Sequence, residues 1–229
     1  MFDNYFEVFL ADTEESRNIH YSIRYQVYCE EMGFENKLDF PTEMEFDEDD
    51  AKSVHFIVRN KVTKDWIGAM RLINKKGGLL PIEQSCEIDE GISTNDIFKS
   101  VEISRLCLVK EVRKGNPPIG EMENIKRQQG DTPQVELNRL IIWGLFYAAV
   151  NYGRKNRISN SYFMTTKVLA RVLTRAGLNL IKVGGSCQHK GERFPFKMNT
   201  EEVCKSDVWK NKCSYGYSLF SEIKSAKAA

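Results

Sequence analysis

Arginines and carboxylates stand within or beside apolar segments in the first half of the chain, and this placement restricts how the chain can fold. They are Arg24, Asp47 and Asp50, Arg71, and the residues Glu102 and Arg105 of the run Val101–Arg105. A buried charge costs several kcal/mol unless an opposite charge pairs with it. The fold must therefore bring these segments together, and a paired cluster beside a cleft is typical of an active site.

The 229 residues, 41% apolar and 28% charged, have the composition of a globular protein. A chain of this length forms one large domain or a domain with an appendage. We predict a domain over residues 1–200 and an extension of unknown role over residues 201–229. The formal net charge of +1 excludes a general electrostatic attraction to nucleic acid or to anionic membranes.

The charges are unevenly distributed along the chain. Ten acidic residues and one lysine lie between Glu30 and Asp50, whereas fourteen basic and four acidic residues lie between Arg139 and Lys212. Such a polarised distribution directs an acidic partner to the basic side of the molecule. The alternative is that each run is an ordinary solvated face.

Targeting signals and cysteine spacing indicate the compartment. The N-terminus lacks the basic region and apolar core of a secretory signal, and the most apolar stretch, Leu140–Val150, is too short to span a bilayer. We therefore expect a cytoplasmic protein without a membrane span. The six cysteines show no CxxC pair and no dense spacing, which predicts reduced thiols.

A zinc site is an alternative use of some of these cysteines. Cys187, His189, Cys204 and Cys213 carry the side chains that zinc prefers. Their spacings match no common zinc module, so we predict no metal site.

Hydrophobic patterning and turn residues predict the order of the secondary structure. We predict strands at residues 5–10, 54–59, 66–73, 101–109, 160–165 and 179–183. We predict helices from the cap Asp12 or Thr13 to Gly33, from Thr132 to Tyr152, and over residues 166–176. The segments 35–50 and 110–131 are polar loops, and the segment from Lys75 to Ser100 is irregular. This order indicates an α/β (α+β) domain with a mixed central sheet and helices on its faces.

The charged motifs resemble those of a known group of enzymes. The chain is similar to LuxI-type acyl-homoserine-lactone (autoinducer) synthases at Arg24, 44–50, Arg71 and 102–105. It resembles still more closely the acyltransferases associated with PEP-CTERM/exosortase systems and the N-acyl amino acid synthases. These share the segments 24–28, 53–56, 68–72, 81–83 and 102–106. The resemblance implies the GNAT-like N-acyltransferase fold, in which the central strands splay and a thioester lies in the gap.

Two departures from these families narrow the implied activity. The lactone synthases carry tryptophan where this chain has Phe34, and no counterpart of the features that hold S-adenosylmethionine is found. The GNAT pyrophosphate loop, RxxGxG/A, is absent as such. The resemblance therefore favours acylation of an amine, with an acyl-carrier protein rather than coenzyme A as the donor and with no permanently bound cofactor.

The reaction needs few groups. An amine loses a proton as it attacks the thioester, and Glu102, flanked by apolar residues, is our candidate base. Backbone N–H groups between Leu106 and Leu108 are candidates for stabilising the oxyanion. In a regular strand Glu102 and Ser104 point to one face and Arg105 to the other, so all three serve one site only if a bulge intervenes. Otherwise Arg105 is a structural anchor on the opposite face.

The other candidate residues fall into three groups. We assign a catalytic role to Arg71 and Arg105 beside Glu102. Substrate binding is assigned to Arg24, Tyr28, Phe34, Asp47, Asp50 and Ser104. Contact with the acyl carrier or thioester is assigned to Leu106, Leu108, Lys110, Arg113 and Lys114. For each group the structural alternative is an ion pair, a core packing role or a solvated loop.

Three functions follow as hypotheses. The first is an N-acyltransferase that moves a fatty acyl group from acyl-carrier protein (or coenzyme A) to the amine of an amino acid or similar small molecule. The second is an acyl-homoserine-lactone synthase that uses S-adenosylmethionine. The third is a non-catalytic acyl-binding module.

Overall fold

A mixed β-sheet forms the centre of the molecule. The computed structural model describes residues 1–75, 78–89, 99–114, 134–210 and 212–225. Within them the strands are β1 (Phe6–Leu10), β2 (Ser53–Asn60), β3 (Trp66–Asn74), β4 (Ser100–Leu108), β5 (Asn160–Thr165), β6 (Ile181–Lys182), β7 (Cys187–Gln188), β8 (Glu192–Asn199) and β9 (Ser218–Leu219). The helices are α1 (Glu14–Arg24), α2 (Pro81–Ser85), α3 (Lys110–Arg113), α4 (Gln134–Lys155), α5 (Lys167–Arg175), α6 (Thr200–Cys204) and α7 (Phe220–Ser225).

The strands follow the order β6-β8-β5-β4-β3-β2-β1-β9, with β7 paired to β8. Strands β1 to β4 form an antiparallel meander. Strand β5 then lies parallel to β4, and β8 lies antiparallel to β5. The predicted mixed sheet with flanking helices is confirmed.

The two central strands separate soon after they meet. Strands β4 and β5 pair over Ser100–Glu102 and Asn160–Tyr162. Beyond Glu102, β4 continues for six residues to Leu108 without a further register partner on β5. This divergence opens a gap in the middle of the sheet, and the gap positions the site described below.

Helices cover both faces of the sheet. On one face α1 packs over β2 and β3, where the His20 ring meets the His55 ring. On the other face α4 packs over β1, β2 and β3, where Tyr152 meets Phe56. Strand β3 is consequently buried over seven consecutive residues, as expected for a strand covered on both sides.

Helix α1 begins with a reciprocal cap and ends in an altered helical geometry. Thr13 accepts a hydrogen bond from the N–H of Ser16, and the Ser16 side chain accepts one from the Thr13 N–H. After Arg24 the chain continues as π-helix over Tyr25–Glu31. Such wider turns are frequent at functional sites because they redirect the side chains that follow.

Several elements differ from the sequence-based expectation. Residues 81–85, expected to be irregular, form α2, and α4 continues past Gly153 to Lys155. Strand β8 was missed because Pro195 lies within it, and proline disfavours a strand assignment. The helix start at Thr132 and most of the predicted polar loop 110–131, including Lys126 and Arg127, lie outside the described residues.

The segment after residue 200 packs against the rest of the molecule. Val203, Trp209 and Phe220 are buried in the main apolar core. Strand β9 pairs with the outer edge of β1. The expected boundary at residue 200 stays a prediction. None of the helices in the described ranges has the length and apolar character needed to cross a membrane.

The expectation of six reduced cysteines is wrong for two of them. Cys86, at the end of α2, forms a disulfide with Cys187 in β7. They are 101 residues apart in sequence, and the fold brings their Cα atoms to 5.2 Å. Local spacing contains no information about such a pairing. Cys29, Cys107, Cys204 and Cys213 are free.

Candidate active site

Three arginines and three carboxylates form a closed ring between α1, β3 and β4. Arg24 pairs with Glu45 and with Asp50, the latter at 2.7 Å. Arg71 pairs with Asp50 at 2.9 Å and with Asp47 at 2.5 Å. Arg105 closes the ring, with Nη2 2.9 Å from Asp47 and 3.1 Å from Glu45. Glu45 and Asp50 each bridge two arginines, and Asp47 also lies 3.8 Å from Arg24, so the charges cancel around the ring.

The ring extends from the core towards solvent. Arg24 and Glu45 are fully buried, whereas the Arg105 and Asp47 side chains are 17% and 28% exposed. Burial acts to raise the pKa of Asp50, but the His55 hydrogen bond and the adjacent arginines outweigh it and hold that pKa below its ordinary value. Burial is likewise outweighed at Asp47, where the Arg71 hydrogen bond lowers the pKa.

Arg105 reaches the ring because β4 contains a bulge. Ala69 pairs with Cys107 and Arg71 with Ser104, so Arg105 and Leu106 together oppose one residue of β3. Arg105 has a φ of 51°, the left-handed region that non-glycine residues rarely adopt. Of the two possibilities that the sequence left open, the structure has the bulge, which brings Arg105 to the face that carries Glu102 and Ser104.

Gly68 accommodates the bulge from the neighbouring strand. A Cβ atom at this position would lie 2.6 Å from the Leu108 side chain and 2.8 Å from the Cys107 carbonyl oxygen. Real Cβ atoms do not make such contacts, so only glycine allows β3 and β4 to approach this closely here. The requirement explains why glycine opens the motif Gly68–Arg71.

Glu102 lies on the same face as Arg71 and Ser104. It is 1% exposed, and its Oε2 accepts a hydrogen bond of 2.8 Å from the N–H of Ile82. Burial raises the pKa of Glu102 to about 8, against weaker lowering by the Ile82 hydrogen bond and by Arg71. The Nε of Arg71 donates to Ser104 Oγ at 3.1 Å, which orients the hydroxyl.

A cavity of about 600 Å³ occupies the gap between β4 and β5. Its polar wall contains Arg71, Asp47, Glu102, Ser104 and Arg105. Its apolar wall contains Leu106, Leu108, Ile142, Phe146, Phe163 and Leu169. A pocket with a polar end and an apolar end suits a molecule that has a polar head and an alkyl chain.

Tyr28 and Phe34 also line this cavity, from the π-helical segment and the turn after it. Their rings stack with centroids 6.4 Å apart. The Tyr28 hydroxyl donates to the carbonyl of Leu106 at 3.4 Å, and the Arg105 guanidinium lies 5.7 Å from the Tyr28 ring centroid. Burial raises the pKa of Tyr28 well above its ordinary value.

Four of the residues singled out from the sequence lie away from the cavity wall. Arg24 and Asp50 are buried behind it, so they contact the cavity through Asp47 and Arg71. Lys110 and Lys114 are exposed on and after α3. Arg113 does line the cavity, and its guanidinium is held by the Leu108 carbonyl and by Glu31. The roles assigned to all of these residues stay predictions.

Some site residues were not identified from the sequence. Glu45, which bridges Arg24 and Arg105, was passed over as one acid among ten in a run. The apolar residues on either side of it, Met44 and Phe46, are the sequence feature that could have indicated its burial. His189, Lys190 and Arg193 line the cavity from the β7–β8 hairpin, which has no pattern that links it to the N-terminal motifs.

Two buried histidines lie beside the ring. His55 Nε2 is 2.9 Å from Asp50 Oδ1, and the ring of His20 lies 4.7 Å from that of His55. Neither nitrogen of His20 has a hydrogen-bond partner among the described residues. Burial lowers the pKa of both histidines, so both are neutral at pH 7.

The described residues contain no group of three or more side chains suited to hold a metal ion. The alternative zinc set also loses Cys187 to the disulfide.

Comparison with known proteins agrees with this fold. Residues 23–119 match the family model described as Acetyltransferase (GNAT) domain. No curated protein sequence matches the chain. The mixed sheet with its flanking helices is the GNAT-like acyltransferase fold.

Solved structures share this fold. BjaI, a CoA-dependent acyl-homoserine lactone synthase solved with SAM and isopentyl-CoA, has a TM-score of 0.62 and 12% identity, covering 98% of this chain and 99% of that chain. The acyl-homoserine-lactone synthase LasI has a TM-score of 0.58 and 15% identity, covering 85% and 90%. FeeM, an N-acyl amino acid synthase from uncultured soil microbes, has a TM-score of 0.51 and 11% identity, covering 86% and 93%. At these identities the similarity is one of fold.

Proposed function

We propose that the protein is an N-acyltransferase that moves a fatty acyl group from a thioester to the amine of an amino acid or similar small molecule. One observation carries the proposal. The gap between β4 and β5 contains a cavity with an apolar wall, and a buried carboxyl, Glu102, lines it beside Ser104 and Arg71. The GNAT domain match and the fold support an acyltransferase.

Glu102 acts as the general base in this proposal. The amine nitrogen forms a bond to the thioester carbonyl carbon and gives its proton to the Glu102 carboxylate, directly or through one water. The C–S bond then breaks, and the thiol leaves with a proton. A carboxyl with a pKa of about 8 is a stronger base than an ordinary glutamate, although only about a tenth of it is ionised at pH 7.

The backbone of β4 stabilises the oxyanion. Beyond Glu102 the edge of β4 that faces the gap has no register partner on β5 within the described strands. Peptide N–H groups of Leu106 to Leu108 on this edge are the proposed donors. Backbone donors fixed in a strand need no reorganisation as charge develops on the carbonyl oxygen.

The charged ring holds the polar wall in position. Arg71 and Arg105 are the members that reach the cavity, together with Asp47. We assign to Arg71 the orientation of Ser104, and to Arg105 and Asp47 contact with the polar head of the acceptor. Arg24 and Asp50 act on the substrate only through these neighbours, because neither lines the cavity.

An acyl-carrier protein is the proposed donor, and acyl-coenzyme A is the alternative. Carrier proteins are acidic, and the exposed Lys110 and Lys114 lie directly after the β4 edge that would bind the thioester. Opposite charges at such a surface raise the encounter rate. The cytoplasmic location and the association with PEP-CTERM/exosortase systems stay predictions from the sequence.

The test is a product analysis. Purified protein is incubated with a panel of amino acids and an acyl donor, which is either carrier protein loaded with a fatty acyl group or acyl-coenzyme A. Products are identified by mass spectrometry. We expect an amide-linked acyl amino acid, formed by the native protein and lost in Glu102→Gln. A protein that binds the acyl donor but forms no product with any amine would be an acyl-binding module instead.

The second candidate is an acyl-homoserine-lactone synthase, because the folds of BjaI and LasI align with this chain. The same assay with S-adenosylmethionine as the acceptor separates the two functions. Release of an acyl-homoserine lactone would support this alternative against the proposed amide product.

A further inference from the structure

Helix α2 contacts the candidate base directly. The N–H of Ile82, in its first turn, donates to Glu102 Oε2 at 2.8 Å, and no other hydrogen bond to this carboxyl is found among the described residues. Ile82 and Leu80 are fully buried in a small apolar cluster with Ile73 and Tyr162. Ile73 and Tyr162 are also the register partners of Glu102 on β3 and β5. The residues of this short helix therefore both hold the carboxyl and exclude water from it.

Both ends of α2 are anchored. At the N-terminal end, Glu83 Oε2 accepts from the Leu80 N–H at 2.8 Å, and its Oε1 pairs with the buried Lys75 at 2.6 Å. At the C-terminal end, Cys86 is covalently bonded to Cys187 in β7. A helix of five residues has little stability of its own, so these anchors determine where it lies.

The disulfide lies directly behind the cavity wall. The Met164 sulfur, which lines the cavity from β5, lies 3.6 Å from Cys86 Sγ and 3.8 Å from Cys187 Sγ. Ser85, one residue before Cys86, and His189, two residues after Cys187, both line the cavity. The bond therefore joins two walls of the cavity that come from distant parts of the chain.

We propose that α2 positions the Glu102 carboxyl and that the Cys86–Cys187 disulfide holds α2 in place. Reduction of this disulfide by a dithiol would then loosen α2 and expose the Glu102 carboxyl to water. In the step, the dithiol gives two electrons and two protons. Cys86 and Cys187 become thiols, and the reductant becomes a disulfide. The effect on catalysis rests on the proposed function, whereas the effect on Glu102 does not.

The direction of the change follows from the surroundings of Glu102. Desolvation is the largest influence on its pKa, and the facing charges are Arg71 from β3, Asp49 from the turn before β2, and Glu83 from α2. When the disulfide opens, α2 keeps its N-terminal anchor, and its C-terminal side is held only by the backbone contacts of Ile88 with Gly184 and of Asp89 with Val183. Water then reaches the carboxyl, and we expect the pKa of Glu102 to fall by about one unit towards its ordinary value.

The experiment first counts thiols and then measures Glu102. Protein unfolded without reductant should react at four thiols, and reduced protein at six. The pKa of Glu102 is read from the stability difference between the native protein and Glu102→Gln across pH, for oxidised and for reduced protein. Because the folded pKa is raised, the native protein loses stability relative to this variant as pH rises from 4.5 through about 8.

Two variants complete the test. Cys86→Ser should resemble the reduced native protein and should not respond to the dithiol. Cys204→Ser, which removes a free and half-buried cysteine in α6, should respond as the native protein does. If Cys86→Ser does not fold, the comparison of oxidised and reduced native protein decides alone.

Six reactive thiols before reduction, or an unchanged Glu102 pKa after complete reduction, would overturn the proposal. The measurement needs no substrate. A protein with no acyltransferase activity whose Glu102 pKa changes on reduction would support this inference and contradict the proposed function. An active enzyme in which the Glu102 pKa is the same before and after reduction would support the proposed function and contradict this inference.

Discussion

Arg105 donates twice to Glu45, from Nε at 3.3 Å and from Nη2 at 3.1 Å. Glu45 is 1% exposed and also neutralises Arg24, which is fully buried. One carboxylate therefore balances two arginines, and its loss leaves positive charge in the core. Breaking a buried pair by removing one partner costs about 3–5 kcal/mol.

We expect Glu45→Gln to lower the free energy of unfolding by about 3 kcal/mol, measured by urea denaturation. The matched control is Glu48→Gln, which removes an exposed carboxylate from the same acidic segment. That control should change stability by less than about 0.5 kcal/mol. Equal unfolding midpoints for the two variants would contradict the role of Glu45 in the ring.

The second prediction concerns the pH dependence of activity. A general base must be ionised, so kcat/KM should rise with pH and level off above about 8, the pKa of Glu102. Glu102→Gln should lower kcat about 100-fold or more, because it keeps the shape of the side chain but cannot accept the proton. A kcat/KM that does not change between pH 6 and 9 would contradict a role of Glu102 in the proton transfer.

The third prediction concerns acid stability. The folded-state pKa of His20 lies below its ordinary value of 6.5, so His20 contributes stability above pH 6.5 that is lost as pH falls. The unfolding free energy of the native protein should fall as pH drops below 6.5. We expect this slope to be smaller in His20→Leu, by at most about 1.4 kcal/mol per pH unit. His189→Leu is the comparison: burial also lowers the pKa of this partly exposed histidine, but less completely, so this variant should change the slope by less. The loss linked to Asp47 and Asp50 begins only below their ordinary pKa of 3.8.

The fourth prediction separates carrier docking from thioester chemistry. Lys110→Ala with Lys114→Ala should raise the KM for carrier-bound donor several-fold at low salt and leave the KM for acyl-coenzyme A unchanged. Arg113 is left intact because it holds the Leu108 carbonyl. Lys205→Ala, at the exposed position directly after α6, is the control. Equal effects on both donors would exclude a docking role.

The fifth prediction concerns acyl-chain length. Leu169 lines the cavity from α5, whereas its neighbour Val168 is 70% exposed. We expect Leu169→Trp to shift the products towards shorter acyl chains, since the added ring volume fills part of the apolar wall. Val168→Trp adds a ring of the same size outside the cavity and should leave the product distribution unchanged. Mass spectrometry of products from mixed donors makes the comparison.

The sequence predicted the elements whose signal is local. Strand β5 agrees at both ends, and β2, β3 and β4 agree within one residue, because branched apolar residues recur between clear turns. The bulge at Arg105 was left open by the sequence, since alternation places Arg105 opposite Glu102 and Ser104 unless it breaks, and only the structure shows that it breaks.

Contacts between distant segments were not predictable in the same way. Glu45 resembled its acidic neighbours because only the fold buries it. The disulfide depends on the short distance between α2 and β7 in the fold, which the spacing of the cysteines along the sequence does not indicate. Strand β8 pairs with β5 over six residues although proline interrupts its pattern, which is a case where tertiary pairing overrides local preference.

The short pairing between β4 and β5 has a geometric consequence. Three residue pairs join these two strands in the described part of the chain, and the last of them is Glu102 with Tyr162. The carboxyl therefore lies at the apex of a wedge-shaped opening that widens along β4 towards Leu108. The narrowest part of a molecule bound in this wedge would lie next to Glu102.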